Sequence, residues 1–84
     1  MAAKPLLARV ALVDQVTSLL TQRILDRAYA PGERLNIDAL TREFEVSSSP
    51  IREALTRLSA LGLVAATSFS GFSVAPEPPR SWFE

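Results

Sequence analysis

Three residues, Glu45-Val46-Ser47, separate two stretches of helical periodicity, and so short a link ties them into one helix-turn-helix pair. On the N-terminal side, Asn36 is a good N-cap for a helix with Leu40 and Phe44 on its inner face and Ile37 beside them. About two turns fit before the next cap signal. Ser47 is that signal, and a third helix is predicted from about Ser48 to Leu61. Pro50 is tolerated because it falls in the first turn, where its missing N–H has no intrahelical partner. The inner face of this helix reads Ile51, Ala54, Leu55, Leu58 and Leu61, and Gly62 is the expected stop.

Ahead of the pair, apolar residues recur at Val13, Val16, Leu20 and Ile24, with Leu12 and Leu19 widening the stripe and Asp14, Gln15, Ser18, Gln22 and Asp26 opposite. This predicts an amphipathic first helix over Val10 to Arg27, ended by Pro31-Gly32. After Gly62 the period becomes strand-like. Leu63 to Ser68 and Phe72 to Ala75, joined by Phe69-Ser70-Gly71, predict a short hairpin. Pro76, Pro78 and Pro79 cannot pair in a sheet and end the domain. The expected fold is mainly α with a small β-hairpin, a winged helix-turn-helix of three helices plus wing over residues 10–75. Residues 1–9 form an N-terminal extension and 76–84 a Pro-rich exit segment or linker.

Size and composition narrow the chemistry. Eighty-four residues hold one domain, with 48% hydrophobic and 21% charged residues, as a soluble globular fold requires. With no Cys and no His there is no disulfide framework, thiolate nucleophile, Cys/His metal site or imidazole base. The remaining carboxylates and hydroxyls are isolated from any base, so neither an enzyme nor a cofactor is expected. Lys4 precedes an apolar patch, but Pro5, Arg9 and Asp14 interrupt it, and it makes a poor signal peptide. No run of about 18 apolar residues exists to cross a membrane, and a cytoplasmic location is the default expectation. Nine basic residues balance nine acidic ones, which argues against non-specific coating of nucleic acid but leaves room for a reader with a small footprint. Eight of the nine basic residues are arginines, the residue suited to bidentate contacts with phosphate or guanine.

The outer face of the third helix carries the candidate chemistry. Ser48, Arg52, Thr56 and Ser59 fall on one line opposite the Ile51, Leu55, Leu58 stripe. Such a polar face fits a major groove, where Arg52 reaches guanine O6/N7 or a phosphate. Ser47, Ser48 and Ser49 stand at the positive end of the helix, a position suited to a phosphate oxygen. Each has a structural alternative. Arg52 can lie solvated beside Glu45 or Glu53, Arg57 can pair with Glu53 one turn away, and the Ser47 hydroxyl can be spent on capping its own helix.

The run Pro31-Gly32-Glu33-Arg34-Leu35-Asn36, then Leu40, Phe44, Val46-Ser47, Ser49-Pro50-Ile51-Arg52-Glu53-Ala54-Leu55, Arg57-Leu58, Leu61-Gly62-Leu63-Val64 and Gly71-Phe72-Ser73-Val74-Ala75-Pro76 resembles the GntR family of bacterial transcription regulators. The similarity is to the family's N-terminal DNA-binding domain, in its FadR-like branch, and covers Leu12 to Pro76. It implies binding as a homodimer to a palindromic double-stranded DNA operator, more often as a repressor, with the wing at the adjacent minor groove or phosphates. Carried over by position, Ser47, Ser48, Ser49 and Arg52 match the recognition-helix contacts, and Ser70 and Gly71 match the wing tip.

Five positions depart from the family pattern: Ser48 stands where arginine is common, Phe69-Ser70 where the wing tip is basic, Glu45 where the turn has glycine, and Ala39 where a capping-box glutamate is usual. Glu45 is therefore expected at φ > 0, at a cost of about 1 kcal/mol. Family members continue into a C-terminal domain that binds a small-molecule effector and supplies most of the dimer interface; these 84 residues contain none, as an excised domain or a short natural chain. The rival reading is a winged helix used as a protein-interaction module, supported by the neutral charge, Phe69, Phe72, Trp82 and Phe83.

Overall fold

The computed structural model describes residues 6–67 and 71–76. In chain order the elements are α1 (Leu6–Leu25), β1 (Arg34–Leu35), α2 (Ile37–Phe44), α3 (Ser48–Ala60), β2 (Val64–Ala66) and β3 (Phe72–Val74). The three expected helices are present and form, with a small antiparallel sheet, a winged helix-turn-helix. Helix α1 packs chiefly against α3, and α2 closes over the same helix from the other side. One core joins them: Val13, Val16, Leu20 and Ile24 of α1 meet Leu40 of α2, Ile51, Ala54, Leu55 and Leu58 of α3, and Leu35, Leu63, Val64, Phe72 and Val74 around the sheet. No charged or polar side chain is buried among the described residues.

Four local expectations are revised. Helix α1 begins at Leu6, four residues ahead of the predicted Val10, so Arg9 is helical and faces the rest of the fold. Leu19, placed on the apolar stripe, is 48% exposed; it lies off the line of Val13, Val16 and Leu20 that meets α3. Leu61 was assigned to the inner face of α3 but is 50% exposed. Helix α3 ends at Ala60, Gly62 turns the chain at φ 83, and Leu63 takes the inward position instead. Finally, Arg57 pairs with Asp14 of α1 at 2.5 Å and not with Glu53, tying the outer flanks of the two largest helices together.

The hairpin supplies two strands of a three-stranded sheet of order β1-β3-β2, with β3 in the centre. Val64 stands opposite Val74 and Ala66 opposite Phe72, while Arg34 and Leu35 on the far side pair with Ser73 and Phe72. Backbone bonds from Gly32 N to Val74 O and from Val74 N to Glu33 O anchor the Pro31-Gly32 turn to this sheet. Within β1 the alternation of the strand points Leu35 into the core and Arg34 outward.

Both predicted N-cap residues of the helix-turn-helix stand at the N-cap positions, but only one makes a capping bond. Asn36 caps α2 as expected, its Oδ1 accepting from Ala39 N at 3.0 Å. Glu45 ends α2 in the left-handed region at φ 56, ψ 45, and Glu45 N and Val46 N both donate to Thr41 O. Ser47 occupies the N-cap position of α3 in extended backbone, but its hydroxyl makes no capping bond. A second device sets the tilt of α2. Arg23 of α1 donates to the Glu43 carboxylate and, at 3.2 Å, to the Tyr29 hydroxyl, while its guanidinium lies 4.9 Å from the centroid of the Phe44 ring. The hydrogen bond from Arg23 holds the Glu43 carboxyl below the usual carboxylate range.

Candidate nucleic-acid interface

Helix α3 presents its first turns outward because its opposite face is fully committed to the core. Ile51, Ala54, Leu55 and Leu58 have no exposure, and burial of that stripe fixes the helix's rotation about its own axis. Ser47, Ser48, Ser49, Arg52 and Thr56 are consequently all exposed. They run along the outer side of α3 from its N-cap to its third turn. Ser59, on the same predicted line, is half-buried and closes it off.

The individual side chains differ in what they have left to offer. The free Ser47 hydroxyl and that of Ser48 make no side-chain hydrogen bond among the described residues. Ser49 Oγ accepts from Arg9 Nη2 at 2.9 Å, which brings a cation from α1 to the start of α3. Thr56 Oγ1 donates to Arg52 O at 2.8 Å, so its proton is spent within the helix. Arg52 lines an open groove of about 370 Å³ between α3, the start of α2 and the sheet, with Arg34, Asn36, Asp38 and Gly71 on the other walls.

The wing is described only in part. Ser70 and Phe69 lie outside the described residues, as do Trp82 and Phe83. Gly71 is buried, and a Cβ there would come within 2.7 Å of Thr67 Oγ1 and 3.0 Å of Arg34 Nη2. Its lack of a side chain makes room for Arg34, and it offers no side-chain contact of its own. Phe72 is also turned inward, at 9% exposure.

Two arginines that the residue spacing did not single out thus join the surface, Arg9 and Arg34. Arg9 was hidden by the late helix start, since its reach depends on α1 continuing back to Leu6. Arg34 sat within a recognised turn motif, but only pairing of β1 with β3 brings it beside Arg52. Among the described residues the ion pairs occupy Arg23 and Arg57, and neither pair involves Arg9, Arg34 or Arg52. Arg9 and Arg52 thus stand at the start of α3 with Arg34 across the groove, none of them ion-paired among the described residues. Among those residues no cluster of acids suited to a metal ion occurs, and no helix is long and apolar enough to cross a membrane.

Known proteins resemble this chain in sequence and in fold. Over 60 residues the chain is 42% identical to YdhC of Bacillus subtilis (strain 168), an uncharacterised HTH-type transcriptional regulator, a match that takes in 71% of this chain and 27% of that protein. The Nta operon transcriptional regulator of Aminobacter aminovorans is 43% identical over 44 residues, 52% of this chain and 21% of that one. The chain thus spans about a quarter of the length of these curated relatives. Among solved structures, E. coli McbR/YncC superposes with a TM-score of 0.74 and 29% identity over 86% of this chain and 34% of its own. Lar of Listeria monocytogenes, which controls expression of the agr system, gives a TM-score of 0.70 and 33% identity over 89% of this chain and 32% of its own. The model of the gntR family of bacterial regulatory proteins matches residues 12–74, from within α1 to the end of β3, and the chain belongs to that family.

Proposed function

We propose that this domain is the operator-reading part of a transcription regulator, binding double-stranded DNA sequence-specifically through the N-terminal half of α3. The observation that carries the reading is the exposed line of Ser48, Arg52 and Thr56, held outward by a helix whose other face is buried. Arg52 takes the specific role: its fork of donors matches guanine O6/N7 in the major groove. Ser47, Ser48 and Ser49 serve phosphate oxygens at the helix start, and Thr56 offers its methyl to a thymine. Ser70 and the backbone at Gly71 serve the flanking groove or phosphates. The regulator names borne by YdhC and the Nta operon protein support DNA reading as the family's task.

In a longer chain the domain works as a homodimer on a palindromic operator, as a cytoplasmic repressor whose occupancy answers to a small-molecule effector bound by a further C-terminal domain. The inward position of Phe72 removes one of the exposed aromatics on which a protein-interaction role for the wing would rest.

Selection of the 84-residue chain against a random double-stranded DNA library, followed by anisotropy titration of the winner, tests the proposal. Recovery of a half-site or palindrome whose binding Arg52→Ala abolishes or weakens is the expected result. Failure to enrich any sequence at low salt, even with the chain fused to a dimerising segment, refutes it.

A further inference from the structure

We infer that Arg34 is a second DNA-contacting residue: from β1 it shares one groove with Arg52 and takes a backbone phosphate of the duplex that α3 reads. The inference rests on the DNA-reading role proposed above and adds to it a contact from outside α3 and the wing tip.

The placement follows from the sheet. In a two-residue strand one side chain faces in and the next out; Leu35 is 3% exposed, so Arg34 projects from the opposite face. Pairing of Arg34 with Ser73 sets it against β3, and the guanidinium lies over Gly71, close enough that a Cβ at that glycine would stand 3.0 Å from Nη2 and 3.4 Å from Cζ. A Cβ at position 71 would clash first with Thr67 Oγ1, at 2.7 Å, and also crowd this guanidinium, so glycine there leaves room for both neighbours. It faces the same groove as Arg52, which rises from α3. No carboxylate among the described residues is ion-paired with either arginine.

Two guanidinium groups on facing walls of an open groove suit a single shared tetrahedral anion or neighbouring ones along a backbone. Phosphate is favoured over a base edge because a two-residue strand flush against β3 cannot enter a groove as α3 can; contacts from such flanking elements position the duplex without reading it. Asp38, in the first turn of α2, lines the same groove and is exposed. Its carboxylate opposes a phosphate there, which limits the affinity that the arginine pair supplies.

The test is anisotropy titration of wild type, Arg34→Gln, Arg34→Lys and Asp38→Asn against the selected duplex and a scrambled one, across a series of salt concentrations. Arg34→Gln should weaken both duplexes alike, about 5- to 10-fold near 0.1 M salt, and reduce the slope of log affinity against log salt by about 0.9, as loss of one phosphate contact does. Arg34→Lys should retain most of the slope, and Asp38→Asn should tighten both duplexes. Arg34→Gln with wild-type affinity and slope overturns the inference, and so does a loss confined to the selected duplex, which would make Arg34 a base reader. Should Arg34→Gln melt below the assay temperature, the charge-retaining Arg34→Lys and the packing-neutral Asp38→Asn decide: unchanged binding in Asp38→Asn overturns the contact. Wild type that binds no duplex overturns the DNA-reading role itself, an outcome distinct from wild-type binding that Arg34→Gln leaves intact.

Discussion

Glu45 is held in the left-handed region at φ 56, ψ 45, in the turn that aims α3, and replacing it with glycine should stabilise the domain. A Cβ in that conformation costs about 1 to 2 kcal/mol through its approach to the following carbonyl. Glycine removes the clash but gives the unfolded chain more freedom, which returns about 0.4 to 1 kcal/mol. A gain of about 0.5 to 1 kcal/mol remains, which raises Tm by about 2 to 8 °C in a domain of this size. The Glu45 side chain is exposed and makes no ion pair among the described residues, so little else is lost with it. Its charge does lie near the positive end of α3, an interaction worth a few tenths of a kcal/mol, roughly. Glu45→Ala removes that charge while keeping the Cβ and is the proper reference. Thermal melts followed by circular dichroism should rank Glu45→Gly clearly above Glu45→Ala. Equal melting points for the two would show that any strain at the turn does not exceed the roughly 0.4 to 1 kcal/mol of unfolded-chain freedom that glycine returns, and would refute the expected gain.

Three further outcomes are expected. Arg52→Ala should weaken binding to the selected operator by about 1 to 3 kcal/mol in anisotropy titrations, and unchanged affinity would remove Arg52 from the interface. Leu58, wholly buried between the helices, should cost about 2 to 5 kcal/mol when truncated to Ala, a large part of the stability of so small a domain; urea unfolding measures it. Glu43 is held below the usual carboxylate range in the folded state, so the stability it contributes is present above its unfolded pKa and is lost as pH falls through the lower folded value. The two partners are 31% and 49% exposed, which limits the effect to at most about 1 kcal/mol. Glu43→Gln should therefore melt below wild type at pH 7 and level with it in acid. A gap of unchanged size in acid, where the carboxyl is protonated in both states, would show that the pair does not set the difference.

Much of the fold was legible because it rests on local chemistry. The stripes Val13, Val16, Leu20, Ile24 and Ile51, Ala54, Leu55, Leu58 are buried as their spacing requires, since a helix fixes which residues share a face before any partner is present. Asn36 caps α2 because a side-chain oxygen three residues from a free N–H needs nothing else. The errors fall where a distant partner decides. Arg57 is within reach of both Glu53 and Asp14, and only the packing of α1 on α3 selects the latter. A strand of two residues carries no readable alternation, so β1 appears only when β3 arrives to pair with it.

The candidate site divides along the same line. The chain's own order of residues determined that Ser48, Arg52 and Thr56 lie together on the outer face of one helix, because helical periodicity is a local property. Tertiary structure decided that Arg9 meets Ser49 and that Arg34 shares a groove with Arg52, partners separated by 40 residues in the first case. It also decided that Gly71 is covered while making room for that guanidinium. Charge summed along a chain is zero wherever the residues sit; which guanidinium groups stay unpaired depends on which carboxylates the folded chain brings to which arginines.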